Sequence, residues 1–486
     1  MLTWSAEALL SGLLCRLRAT IMEQQMSDKP KIVIIGAGSA SFGPTTLATI
    51  VRDERLRGSE LALVDLNESA LETVAGVARR MNEAWDAGMA ISASPNRRDV
   101  LADADFVIVS IEAPPREKLW RLDWEVTLKH GLRQPYAENG GPGGLMHACR
   151  QIPHFLDIVH DMEAMCPAAW LINFSNPLPR ITRAVTKTSS IKVVGKCHQI
   201  EVGYALTTVL LRHRYNIQIP TDISLQSDPG NSQLIHQLAA AGRQFLDIKS
   251  AGLNHFIWLV DVRDKATGED LYPTLRAALA DAPPTLEPLS LDLFRVFGRL
   301  PLPGDTHLVE YLPYGYNAAT RPWETYRLHL YDWGGNEATR DFLNYMMAEM
   351  AHGRMAVDGM REAASEGAAE LIAAVALNEN YYDETVNVPN QGAIAGLPDE
   401  TIVEVPALVS GLGINPLQIG ELPPGVTALL RREAELVEMV VDTAVSGDRH
   451  LALQTLLLDP MINDIGQARA ILDDYLKTFA NYLPQF

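Results

Sequence analysis

Residues 31–43 read KIVIIGAGSASFG, with four consecutive β-branched apolar residues, Ile32 to Ile35, running straight into glycines. A half-exposed strand alternates polar with apolar. An unbroken run belongs in a sheet covered on both faces, and the glycines mark its turn into a helix. The pattern recurs in LALVDLN (61–67), ADFVIVSIEA (104–113), AAWLINFSNP (168–177) and IKVVGKCH (191–198), with helix-like stretches such as LETVAGVARRMNEAWDAG (71–88) between them. Alternation of this kind predicts an α/β fold, a Rossmann-type doubly wound parallel sheet over residues 26–200.

Beyond residue 200 the rhythm changes. LNHFIWLVDVRD (253–264) reads as a strand, a Pro-rich segment covers 282–303, and long helical patterns occupy 339–377 and 426–458. Residues 201–486 are therefore expected to form a mixed α+β domain for substrate, metal and oligomerisation. No internal repeat is visible. Residues 1–25 carry Glu7, Arg16 and Arg18 within a short apolar run, which fits neither a secretory signal nor a membrane span, and are expected to be a disordered extension. The formal charge of -19 argues against a nucleic-acid surface. Four scattered cysteines in a chain of 486 residues point to reduced thiols and a cytoplasmic location, with no membrane partner.

Two features carry chemistry. Gly36 and Gly38, with Ser39, form a turn that lets backbone approach a pyrophosphate, and Asp65 ends the next strand where a carboxylate accepts ribose hydroxyls. Ser41 stands where the usual third glycine would be. The acid favours NAD+ over its 2'-phosphorylated form. A lone cysteine in such a fold is ordinarily a small core residue. Cys197, however, sits at the C-terminal end of a predicted parallel strand, and His255 offers an imidazole in a second strand-like context, together a two-point site for a transition metal. Asn176 precedes Pro177 at a strand end, and GDTHLVEYLPYGY (304–316) crowds Asp305, His307, Glu310 and Tyr311 into a possible base-bearing loop.

Taken in order, IIGAGSASFG, NFSNPLPRITRAV, VGKCHQ, AGLNHFIW, GDTHLVEYLP, VNVPNQGAIAGLP and SGDRHLALQTLLLDP resemble glycoside hydrolase family 4, the NAD- and Mn-dependent glycosidases, over about residues 31 to 480. That family is an exception to two-carboxylate glycoside hydrolysis. The resemblance implies NAD+ and Mn2+ or another divalent metal as cofactors, a small glycoside as substrate, and a homodimer or homotetramer. It places the metal on Cys197 and His255, gives His198 a part in leaving-group departure, and makes Asp305 the base at C2 with Tyr311 in reserve. Asn176, Asn139 and Arg150 are the expected sugar contacts. The implied reaction oxidises C3, removes the C2 proton, eliminates at C1, adds water and returns the hydride.

Within the family, a histidine after the ligand cysteine goes with unphosphorylated glycosides, so CHQI implies α-hexosides or α-hexuronides such as α-galacturonides. One departure stands out: YAENGGPGG (136–144) replaces the family's usual GDT block before the glycines. The alternatives are a 6-phospho-glycosidase of the same family and a net NAD-dependent sugar or hydroxy acid dehydrogenase, which would need no Cys197–His255 pair and would accumulate NADH.

Overall fold

The computed structural model describes residues 29–39, 43–220, 222–226, 231–316 and 319–486; the expected extension at 1–25 and Ser41 lie outside the described residues. The predicted parallel sheet is present. Its strands are β1 (Lys31–Ile35), β2 (Glu60–Val64), β3 (Ala90–Ser94), β4 (Phe106–Val109), β5 (Trp170–Asn173) and β6 (Lys192–Gly195), in the spatial order 3-2-1-4-5-6. That order places a topological switch point between β1 and β4, where such sheets take ligands.

The apolar run of β1 is divided between two cores. Val33 and Ile35 join Val107 and Val109 on one face, while Ile32 and Ile34 join Phe106 and Ile108 on the other. Over the second face lie α1 (Gly43–Arg52) and α2 (Glu68–Ala84), through Leu47, Ile50, Val74 and Met81. The first face is covered by α4 (Gly141–Met165) and α5 (Leu178–Thr188), with α3 (Arg116–Lys129) beside them. Cys149 and Cys166 are small core residues of that layer.

The chain after residue 200 does not leave this sheet. After α6 (Ile200–Leu210) and α7 (Ser232–Phe245) come β7 (Leu246–Leu253), β8 (Phe256–Asp264), β9 (Tyr381–Pro389), β10 (Ile402–Ser410) and β11 (Gly413–Pro416). They extend the sheet from β6 in the order 9-10-7-8, all antiparallel, with β11 on β10. A change of strand direction marks residue 200, with no break in the sheet. Two predicted elements divide differently from their sequence patterns. The expected strand 253–264 is split at Asn254–His255, which form the two-residue turn of the β7–β8 hairpin, and His255 takes φ +60°. The helical pattern 339–377 is interrupted after Ala351 because Gly353 and Gly367 adopt φ +75° and +80°, a left-handed backbone that glycine reaches without steric cost.

A late stretch of chain completes the first core. Helix Pro424–Ser446 and helix Ile465–Thr478 place Val440, Val441, Ile471 and Leu472 against the layer that holds Val33 and Val107. Among the described residues no helix is long and apolar enough to cross a membrane.

One row of pairings crosses the junction between the two halves: Gly195 of β6 faces Asn387 of β9, Asn387 faces Glu404 of β10, and Glu404 faces Gly252 of β7. Next to it, buried Lys196 is held by both carboxylate oxygens of Asp383, at 2.6 and 2.7 Å, and by the Thr385 carbonyl at 2.7 Å. Removing one partner of a buried ion pair strands the other charge. Asp383→Ala is expected to cost about 3 kcal/mol or more of unfolding free energy, and Lys196→Met combined with Asp383→Leu to recover most of that loss, both read by urea denaturation.

Candidate functional site

At the switch point, β1 ends in Gly36 with φ +84°; a Cβ there would lie 2.0 Å from the Ser110 carbonyl oxygen, so only glycine lets the two strand ends approach. Gly36 and Ala37 N–H both donate to the Val64 carbonyl, and Gly38 N–H donates to Asp65 Oδ2 at 2.8 Å. Asp65 Oδ1 accepts the Asn67 N–H at 2.8 Å. The expected Gly36, Gly38, Ser39 and Asp65 therefore meet in one loop, followed by the N-terminus of α1. Each Asp65 oxygen keeps a lone pair for a further donor. A glycine cradle that a Cβ would fill, a helix start and a carboxylate at the second strand end fit a dinucleotide.

Three strands along the sheet from β1, the residues that follow β6 meet the β7–β8 turn. Cys197 Sγ lies 3.6 Å from His255 Nε2, across 58 positions of sequence. Asn139, fully buried, places Nδ2 2.9 Å from His255 Nδ1 and 3.0 Å from Glu138 Oε2. A metal on Nε2 requires the imidazole proton on Nδ1. Turning the Asn139 amide by 180° supplies an acceptor from Oδ1, which is otherwise buried without a partner, and then requires a proton on Glu138 Oε2, whose carboxyl burial raises. Burial pushes the Cys197 thiol well above its usual range, and Glu366 and Glu404 push it further. His255 is held well below the usual imidazole range by burial and by His307. A thiol beside a neutral imidazole, with carboxylates around them, suits a divalent cation, whose charge would reverse the cost of the thiolate.

Donor atoms gather on both sides of this pair. Glu138, His255 and His307 form one group whose ligand atoms lie within 4.8 Å of one another, and Cys197, His198 and Glu366 form a second. His198, next to the cysteine, keeps 53% of its side chain exposed while Nδ1 contacts buried Glu366 Oε1 at 2.6 Å. Glu366 holds its imidazole up at about 9. Burial and neighbouring Glu138 raise Glu310 to about 8, although its oxygens accept the Glu138 and Asn139 N–H groups at 2.8 and 3.2 Å.

Two expected site residues are committed elsewhere. Asp305 is buried beneath α8 (Pro288–Phe297): its carboxylate accepts from Leu289 N–H and Ser290 N–H at 2.8 Å and from Ser290 Oγ at 2.6 Å, filling the orphan donors of that helix start. It is a structural cap, and the geometry does not support it as the base. Arg150 is buried in α4 with both guanidinium nitrogens on Asp123, one at 2.8 Å, and is packed over the Phe479 ring, so it is no sugar contact. Tyr311, the reserve, stacks on Phe256 and donates to the Asn254 carbonyl at 3.4 Å, one residue from His255. It borders a cavity of about 10 Å³, room for one water, together with Asn139, Pro177, Arg180, Asn254 and Glu433. Asn176 keeps Oδ1 buried without a partner and bonds Glu138 through its amide.

Sequence reasoning missed Glu138, Arg180, Glu366 and Glu404 as site residues, and placed His307 and Glu310 only within a base-bearing loop. Glu138 lies within the departing YAENGG block, and Glu404 is a lone acid in the apolar strand TIVEVPALV; both signals were readable. Glu366, in AASEGAAE, carries none.

The comparisons agree with this architecture. The model described as "Family 4 glycosyl hydrolase" matches residues 31–210, and that of the "Family 4 glycosyl hydrolase C-terminal domain" matches residues 250–462. The chain is 32% identical to an α-glucosidase of Erwinia rhapontici over 91% of this chain and 95% of that protein, and 26% identical to an α-galacturonidase of Bacillus subtilis over 93% and 97%. Among solved structures, a 6-phospho-α-glucosidase from gut microorganisms, in complex with NAD and Mn2+, shares the fold with a TM-score of 0.73 at 21% identity, covering 94% of this chain and 100% of that one. With matches along both halves and a relative above 30% identity across nearly its whole length, this chain belongs to family 4 of the glycosyl hydrolases.

Proposed function

We propose that this protein is an NAD+- and divalent-metal-dependent glycosidase of unphosphorylated α-glycosides, working by transient oxidation at C3, deprotonation at C2 and elimination at C1. The observation that carries the reading is the 3.6 Å approach of Cys197 Sγ to His255 Nε2, on the same sheet edge as the Gly36–Asp65 loop. When bound, a nicotinamide supplies reversible hydride transfer and a divalent cation polarises the C3 oxygen, which makes the C2 proton acidic.

The chain's own residues supply the rest. Cys197 and His255 would hold the cation, with Asn139 orienting the imidazole. The Gly36–Ser39 backbone would take the pyrophosphate and Asp65 the adenosine ribose. Tyr311, one residue from His255 through the Asn254 carbonyl, is the base at C2, displacing Asp305 from that role. As a base Tyr311 must act as the tyrosinate; burial and Glu310 oppose that form by pushing the phenol well above its usual range, while Arg180, which shares its cavity, favours it, as a cation bound at Cys197 and His255 would. His198, kept protonated by Glu366, hands a proton to the departing C1 oxygen. Asn176, with its unpartnered Oδ1, receives a sugar hydroxyl.

The charge of the site supports a neutral sugar. Glu138, Glu366 and Glu404 lie around the Cys197–His255 pair, with Lys196 held by Asp383, His198 by Glu366, Arg116 at 3.6 Å from Glu117 and Arg180 at 3.5 Å from Glu433. A 6-phosphate or a uronate entering there meets like charge. The α-glucosidase of Erwinia rhapontici, at 32% identity, supports an α-hexoside ahead of an α-hexuronide.

The test is proton NMR of the enzyme with NAD+ and Mn2+ in D2O against α-glucosides, α-galactosides, α-galacturonides and their 6-phosphorylated counterparts. Free sugar bearing deuterium at C2, without net NADH, is the expected result; release with no C2 exchange sinks the elimination route. Tyr311→Phe is expected to lower kcat by about 10²-fold or more and to suppress C2 exchange in step. Tyr311→Phe with unchanged exchange moves the base elsewhere.

The His198–Glu366 contact has a pH signature. Its folded value, about 9, lies above the ordinary imidazole value of 6.5. Its contribution to stability is therefore complete below about pH 6.5 and is lost as pH rises through about 9. An NMR titration of the metal-free protein should show His198 protonated to about pH 9, and Glu366→Gln should return it toward 6.5. A wild-type midpoint near 6.5 would remove the protonated donor.

A further inference from the structure

Glu404 is an acid with no exposed surface in the middle of β10. One of its oxygens, Oε2, accepts from three amides: Gln199 Nε2 and Asn254 Nδ2 at 2.7 Å and Asn387 Nδ2 at 3.2 Å. The other, Oε1, is buried without a hydrogen-bond partner among the described residues. A glutamine could satisfy the same three amides through its single carbonyl oxygen without burying a charge. The negative charge therefore calls for a compensating cation.

Among the described residues, the cations that act on Glu404, Lys196 and His198, are each held by another carboxylate. Lys196 favours the Glu404 charge, yet its ammonium is held by both oxygens of Asp383 and by the Thr385 carbonyl. Glu366, the other buried carboxylate near Cys197 with an unpartnered oxygen, has His198 on Oε1. Glu404 has no such partner. The amides on its Oε2 come instead from the neighbours of the two candidate ligands. Gln199 lies two residues past Cys197 and takes the His255 N–H on Oε1 at 3.1 Å. Asn254 directly precedes His255 and its amide also reaches Cys197.

We infer that Glu404 is the charge partner of the divalent cation held by Cys197 and His255: Oε2 sets the positions of both ligands through Gln199 and Asn254, and the charge left on Oε1 stabilises the cation beyond them. The inference rests on the reading of Cys197 and His255 as metal ligands and adds a positioning residue to it. Glu404 itself needs no bond to the metal, since a buried carboxylate one residue removed acts through a low local dielectric.

Co2+ titration of the chelator-stripped full-length protein tests this, followed by the thiolate-to-cobalt absorption band, in wild type, E404Q and N387A. E404Q keeps an oxygen for the three amides and changes only Oε1 and the charge. N387A keeps the charge and removes the longest of the three hydrogen bonds. E404Q should weaken Co2+ binding by about tenfold or more with NAD+ affinity held within roughly twofold, and N387A should stay within roughly threefold of wild type. E404Q with wild-type Co2+ affinity overturns the inference. So does an N387A loss as large as that expected of E404Q, because hydrogen-bonded placement alone would then account for the effect. Should E404Q fail to fold, N387A decides by the same criterion. Wild-type protein that takes up no Co2+ sinks the metal reading itself, and this inference with it, whereas wild-type uptake with an unaffected E404Q sinks the inference alone.

Discussion

The candidate site depends on the register with which an antiparallel extension joins a parallel sheet. Gly195, Asn387, Glu404 and Gly252 face one another in a single row across β6, β9, β10 and β7. Cys197 follows one end of that row by two residues and His255 follows the other by three. Side chains on a strand alternate faces, so a slip of one residue in β9 or β10 would turn Asn387 or Glu404 to the opposite face and remove the amide–carboxylate cluster. The irregularity between Val405 and Ala407, just beyond Glu404, is the kind of local extra twist that holds a register and re-aims the side chains after it. The contact between cysteine and histidine is thus a product of sheet geometry, although neither residue is in a strand.

Electrostatics give that geometry its chemical direction. A chain of formal charge -19 that buries Glu310, Glu366, Glu404 and Glu433 within one region has gathered acids where desolvation opposes their charge. Burial raises Glu310 to about 8, Glu433 to about 7 and Glu404 to about 6. Part of this is balanced internally, His198 against Glu366 and Arg180 against Glu433. The remainder suits a dication.

The legible part of the fold was the part built from local pattern. The apolar runs of β1, β4 and β5 marked the parallel sheet because strands buried on both faces lose alternation. The glycine turn and Asp65 were placed by the strands around them. The hairpin at Asn254–His255 was hidden because apolar residues flank it on both sides and only the asparagine hints at a turn. Asp305 was misread for a different reason: an acid after glycine in a dense loop looks the same in sequence whether it faces solvent, substrate or a helix start. Only the fold shows that the N-terminus of α8 comes to it from 15 to 16 residues upstream. Arg150 failed likewise, since a charged residue in an amphipathic helix gives no sign that Asp123 waits for it in the core. Residues whose roles depend on a partner distant in sequence were the ones that stayed illegible.

In the proposed reaction the two halves of the sheet have separable tasks, and their spacing along one edge ties those tasks together. From β1 to β6 the order runs through β4 and β5, three strand spacings or about 14 Å along the C-terminal edge. The glycine turn lies at one end of that span and Cys197 at the other. Between them Ser175 Oγ ties the segment after β5 to the segment after β4, accepting the Ile111 N–H and donating to the Ile111 carbonyl, both at 2.8 Å. A dinucleotide anchored at the turn must cross that tied stretch to bring its nicotinamide to a sugar held at the metal pair. In the proposed reaction the parallel half would set where hydride is exchanged, and the antiparallel half, through His255, where the sugar is held. A shift between them would separate two functions that each remained intact, which is why one continuous sheet, with Lys196 locked to Asp383 at the seam, suits this chemistry better than two domains joined by a hinge.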